Sequence, residues 1–167
     1  MEVLLLRHAE AGEADPKRWP DDSDRPITAE GREKQAAMAR AIRKAGLGFE
    51  HLVTSPLVRA RETADVVAEV FEYHDEPVVS EALKPGAGPE AMVQLLAKFP
   101  PDSRVALVGH EPHLSRTAAA LIGRSGDASI DLKKSGVMVI EFDGAPSLGS
   151  GTLQLLLKPK LVRKLSR

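Results

Sequence analysis

Two arginines and two histidines are the residues of this chain whose types could do chemistry together. Arg7-His8 closes the apolar run Val3–Leu6, and His110 follows a second run, Val105–Val108, after Gly109. Arg59 lies near the start of a helical segment that begins just after a third short run ending at Thr54. Guanidinium groups are planar forks matched to phosphate oxygens, and they stay charged at every relevant pH. A phosphoryl group suits such a cluster, whereas two arginines would repel a divalent cation. Among polar groups a neutral imidazole can attack phosphorus, and flanking arginines disfavour its protonation. The arginines and the second histidine would then steady the charge on the equatorial oxygens.

Each residue also has a plainer reading. A lone His8 could be a satisfied core histidine, Arg59 a helix-surface arginine, and His110 a cap on the helix that follows it. Asp15, Asp21, Asp22 and Asp24 read first as a solvated loop. His113 reads as structural or peripheral, and His51 and His74 have no evident partners. The aspartates and histidines lack metal-ligand spacing such as His-x-x-x-His, so no metal and no cofactor is expected. Trp19, in the long loop, could line a substrate mouth or anchor that loop.

The elements needed to bring these side chains together are visible in the pattern. Val3–Leu6, Leu52–Thr54, Val78–Val79 and Val105–Val108 read as strands, the first and last apolar enough for burial on both faces. Thr28 can cap a helix with Met38, Ile42 and Ala45 on its apolar face. Ser55-Pro56 reads as the cap and first turn of a second helix, with Ala60, Ala64, Val67 and Phe71 inward. Further helices are expected over Pro89–Phe99 and Pro112–Ile122. Val137–Phe142 and Thr152–Leu157 read as a terminal strand pair. This alternation predicts a three-layer α/β/α sandwich with a mixed, mainly parallel sheet. His8 and His110 would then stand at strand carboxyl ends, where open α/β sheets bind ligands.

Composition sets wider bounds. A chain of 167 residues suits one domain, 1–167, and its 43% hydrophobic and 28% charged content is that of a soluble globular protein. A net charge of -1 offers no field for nucleic acid or a membrane surface. The absence of cysteine removes disulfides, thiolate metal sites and a cysteine nucleophile. No signal peptide or membrane span is legible, so the expectation is a cytoplasmic protein. The basic tail Lys158–Arg167 reads as a solvated terminus.

Three blocks carry a family resemblance. Leu-Leu-Leu-Arg7-His8-Ala9-Glu10-Ala11 resembles the Arg-His-Gly signature of the histidine phosphatase superfamily. Thr54-Ser55-Pro56-Leu57-Val58-Arg59-Ala60-Arg61-Glu62-Thr63-Ala64 resembles its second block, and Leu107-Val108-Gly109-His110-Glu111-Pro112 its third. They occur in family order across nearly the whole chain. The stretch Asp22-Ser23-Asp24-Arg25-Pro26-Ile27-Thr28 is similar to a block of the short, SixA-type bacterial phosphohistidine phosphatases.

The resemblance implies a phosphoglycerate-mutase-like fold and a metal-free phosphatase in which His8 is transiently phosphorylated. Arg7, Arg59 and His110 would hold the phosphoryl group, and water would release phosphate. Ala9 departs from the signature glycine. Pro85 stands where phosphomonoesterase and mutase relatives carry an acid, which tilts the substrate towards a phosphohistidine-containing protein, since imidazole leaves more readily than an alkoxide. Asp22 is one candidate acid by its alignment, Glu81 is another, and none at all is the third option. A phosphatase for small phosphomonoesters or nucleotides is the alternative enzyme. A non-catalytic phosphate-binding module of the same fold is the competing class.

Overall fold

A computed structural model describes residues 1–123 and 128–165. It places the Leu-rich opening run inside a six-stranded sheet. The strands are β1 (Glu2–Arg7), β2 (His51–Thr54), β3 (Val78–Val79), β4 (Arg104–Gly109), β5 (Val137–Glu141) and β6 (Thr152–Leu157). Their order is β3-β2-β4-β1-β5-β6. The first four run parallel, while β5 is antiparallel to β1 and β6 to β5. The sheet is therefore mixed and mainly parallel, as the sequence pattern predicts.

Burial on both faces explains why β1 carries no polar alternation. Val3 and Leu5 join one core with Met92 and Leu96 of α3 (Pro89–Leu96) and with Leu114 and Leu121 of α4 (His113–Ile122). Leu4 and Leu6 join the opposite core with Met38 and Ile42 of α1 (Ala29–Lys44), and with Ala60, Ala64 and Val67 of α2 (Val58–Phe71). The four apolar side chains of β1 are fully buried, each worth about 1.5–3 kcal/mol. The short helix α5 (Pro159–Leu165) adds Val162 to the second core.

Four local expectations need correction. Ala45 does not lie on the apolar face of α1: it is the exposed C-cap, because Gly46, with φ +81, ends the helix there. Ser55-Pro56 does not start α2. Its N-cap is Leu57, which makes no side-chain cap bond, and the hydroxyl of Ser55 is engaged elsewhere. The third helix stops at Leu96, short of Phe99. The basic tail is not a solvated terminus up to residue 165: it forms α5 and packs on α1, while residues 166 and 167 lie outside the described residues.

The register fixes the site. In the parallel β1–β4 pair Arg7 stands opposite Gly109, so His8 and His110 leave the sheet at the same level. In the β2–β4 pair Thr54 stands opposite Val108, which brings Ser55 to the same edge.

Candidate active site

His8 and His110 come together, with ring centroids 5.1 Å apart. His8 is buried, and its Nδ1 lies 2.7 Å from the carbonyl oxygen of Ala9. A carbonyl only accepts, so Nδ1 carries the proton and Nε2 keeps its lone pair. Burial holds the His8 pKa at about 4; the Ala9 carbonyl opposes this, and the charges of Arg59, Arg7 and Lys134 add to it. The ring is therefore neutral at physiological pH, and desolvation does more than the arginines to keep it so.

The loop carrying His8 is pinned from several sides. Thr63 on α2 accepts the Ala9 amide at 3.0 Å and donates to the Arg59 carbonyl at 2.6 Å. One buried hydroxyl thus ties the His8 loop to the helix that supplies Arg59. Two residues beyond His8, the Glu10 carbonyl accepts the Thr28 amide at 2.8 Å. Gly31 permits this approach, since a Cβ there would lie 2.3 Å from the Glu10 carbonyl oxygen. Arg25 donates to the carbonyls of Ala11 and Gly12 and fastens the 22–25 turn to the same loop.

Arg59 is buried, with Nη1 donating to the Asp22 carbonyl at 2.8 Å and lying 3.2 Å from the Asp22 carboxylate. Arg7 is partly buried, and its Nη1 donates to the Leu132 carbonyl at 2.9 Å. His110 is buried, with Nε2 at 2.8 Å from the Ser55 hydroxyl. That hydroxyl accepts the Leu57 amide, so its proton is free to go to Nε2. The tautomer this favours carries its own proton on Nδ1. Burial first, then the charges of His8 and Arg59, hold the His110 pKa at about 3.

Arg7 Nε, Arg59 Nε and His110 Nδ1 are buried without hydrogen-bond partners. A buried unpaired polar group costs about 1–3 kcal/mol, and a tetrahedral oxyanion is the acceptor that would satisfy several at once. His113, Gln35 and Thr117 also bury unpaired polar atoms. His113 is buried in α4, its own pKa lowered by that burial, and a charge on it would disfavour one on His110.

The two acid candidates stand in different surroundings. Asp22 sits in a short turn, Asp22–Asp24, where a hydrogen bond from Arg25 and the charge of Arg59 hold its carboxyl below the usual range. Glu81 lies exposed in the turn Glu81–Leu83 and pairs with Lys84 at 2.7 Å. That turn nevertheless reaches the site edge, because the Leu83 carbonyl packs against Gly109. Of the other aspartates, Asp15 caps the Lys17 amide and Asp21 the Ser23 amide. Trp19 is partly buried with Arg18 over its ring, and His51 stacks on Phe99. Glu111 accepts from the Ser115 amide inside α4. Among the described residues no three side chains are grouped to hold a metal ion.

Residues 3–84, which include Arg7, His8, Asp22 and Arg59, match the model of the histidine phosphatase superfamily (branch 1). A Picosynechococcus sp. protein of uncharacterised role is 36% identical over 166 residues, covering 96% of this chain and 98% of its own. The chain belongs to the histidine phosphatase superfamily. It is accordingly an enzyme, a hydrolase of that family. Within the superfamily its architecture is that of the short SixA type. The structure of the protein histidine phosphatase SixA complexed with tungstate superimposes with a TM-score of 0.85 at 22% identity, covering 97% of this chain and 99% of that one. An Agrobacterium tumefaciens structure given the name SixA follows with 0.77 at 25% identity, covering 95% and 97%. These folds have phosphoglycerate-mutase-like layering.

The sequence pattern gives Thr63 no role and casts Ser55 as a helix cap. Thr63 stands four residues after Arg59, one turn along the same helix face, and that spacing is the signal that links the two. Ser55 has no such signal, since its partner is 55 residues away.

Proposed function

We propose that this hydrolase removes the phosphoryl group from phosphohistidine in a protein, through a covalent phospho-His8 intermediate. The observation that carries the reading is the fixed tautomer of His8: Nδ1 bound to the Ala9 carbonyl, Nε2 free, and the ring neutral. Arg7, Arg59 and His110 take the phosphoryl oxygens. Nε2 attacks phosphorus as the P–N bond to the substrate imidazole breaks, and that imidazole departs with a proton it has already taken from solvent. Positive charge then grows on the His8 ring, where the Ala9 carbonyl stabilises it. Water attacks the phospho-His8 phosphorus, the P–Nε2 bond breaks, and inorganic phosphate leaves with the proton lost by water.

The surroundings of Asp22 support this substrate class. Arg25 and Arg59 hold its carboxyl below the usual range, and an alkoxide leaving group needs a proton that it does not have ready, while Glu81 is engaged by Lys84. When a phosphoryl dianion engages Arg59, Asp22 loses part of its positive neighbour and its proton affinity rises. Asp22 is therefore the residue through which slower turnover of small phosphomonoesters would run. We read 1–167 as one catalytic domain that works without a metal, in the cytoplasm, with no nucleic acid or membrane partner.

The test is phosphate release from a phosphohistidine protein and from an alkyl phosphate, side by side in excess chelator, with wild type and His8→Ala. Much faster release from phosphohistidine than from the alkyl phosphate, lost in the variant, is the expected result. Comparable release from both substrates would move the assignment to small phosphate esters.

A further inference from the structure

A cavity of about 700 Å³ opens beside the nucleophile loop, between α1, the 133–135 segment and α5. Its size is that of a ligand site. Its wall is continuous with the catalytic backbone: Arg7, Glu10 and Ser135 line it, and the Ser135 amide donates to the carbonyls of Arg7 and His8. Met38 and Val162 give it an apolar floor. Around them stand Lys34, Lys133, Lys134, Lys158, Lys160 and Arg163.

These cations are incompletely matched. Lys133 and Lys158 share one carboxylate, Asp131, each at 2.8 Å. Lys134 pairs with Glu10 and Lys34 with Glu30. Among the described residues no carboxylate pairs with Lys160 or Arg163, both exposed on α5. A chain of net charge -1 thus gathers a local excess of positive charge at one cavity next to its active site.

We propose that this cavity holds an acidic segment of the protein that carries the scissile phosphoryl group, apolar side chains on the floor and carboxylates on the rim. The inference rests on the phosphohistidine-protein reading above. The charges come from three separate elements and are mostly lysines, point charges without the fork that a single phosphate selects. That distribution suits several carboxylates spread along a chain better than one compact anion. Rim charges of this kind raise the association rate and make it salt-dependent.

The test uses two synthetic peptides, each with one phosphorylated histidine, flanked in one by aspartate and glutamate and in the other by asparagine and glutamine. Wild type is expected to favour the acidic peptide in kcat/KM by about tenfold at low salt, the gap narrowing as salt rises. Lys160→Glu with Arg163→Glu should remove that preference through KM, whereas Lys98→Glu, the same reversal at an exposed residue outside the cavity, should keep it. Equal handling of the two peptides by wild type, or a preference that survives the double reversal, would overturn the proposal. Turnover of neither peptide nor phosphoramidate would refute the catalytic reading instead. The cavity is then judged by anisotropy of the labelled acidic peptide, where binding unaffected by the double reversal overturns it.

Discussion

Thr63→Val isolates the bond network that positions His8. The substitution keeps volume and branching but removes a hydroxyl that is fully buried. The Ala9 amide, held by that hydroxyl at 3.0 Å, becomes a buried donor without a partner. Such a loss costs about 1–3 kcal/mol, and the Arg59 carbonyl, which α-helical geometry still pairs with the Thr63 amide, adds little. Function should suffer as well, because the Ala9 carbonyl that fixes the His8 tautomer belongs to the residue set loose. A displacement approaching 1 Å would lower kcat by about ten- to a hundredfold. Thr63→Ser keeps the hydroxyl and should cost no more than about 1 kcal/mol for its methyl group. Urea unfolding gives the stabilities, and phosphate release from phosphoramidate gives the rates. Full activity in Thr63→Val with a loss under about 0.5 kcal/mol would refute the reasoning, since a buried orphan donor cannot be that cheap.

Gly31→Ala drives a Cβ to 2.3 Å from the Glu10 carbonyl and should destabilise by about 1–3 kcal/mol in thermal or urea unfolding, with slower turnover. Arg59→Lys keeps the charge but loses the fork, and a loss of about tenfold or more in kcat/KM is expected. Acid should unfold the protein partly through its two site histidines, whose folded-state pKa values of about 4 and about 3 lie below the ~6.5 of an unfolded imidazole. The unfolded chain binds protons first, so stability falls from about pH 6.5 downward, by roughly 3 kcal/mol per histidine at pH 4. Urea midpoints across that range should therefore fall less steeply in His110→Gln than in wild type. The same shift places the acid limb of kcat/KM below pH 5 or so, against ~6.5 for an ordinary histidine.

How far the chain is legible depends on the range of the forces involved. The β1 run Val3–Leu6 reads correctly because burial on both faces writes itself into four consecutive residues. Arg7, His8, Arg59 and His110 read as one cluster because each sits at a fixed offset from such a run. Ser55 misleads because serine before proline is a good local cap, while the bond it makes crosses to His110 from another strand. The tail misleads for a different reason. Its composition is basic, and among the described residues a single buried side chain, Val162, joins α5 to the core shared with α1. The cationic cavity is invisible in the net charge, because it draws lysines from residues 34, 133, 134, 158 and 160 to one place.

The most direct test of the account is to trap the intermediate. Wild type and His8→Ala would be mixed with radiolabelled phosphoramidate, quenched in alkali within a turnover, and digested for peptide mapping. The account predicts acid-labile, alkali-stable label on the peptide containing His8 and none in the variant. Unlabelled wild type turning over normally, or a variant that hydrolyses at the wild-type rate, would contradict it.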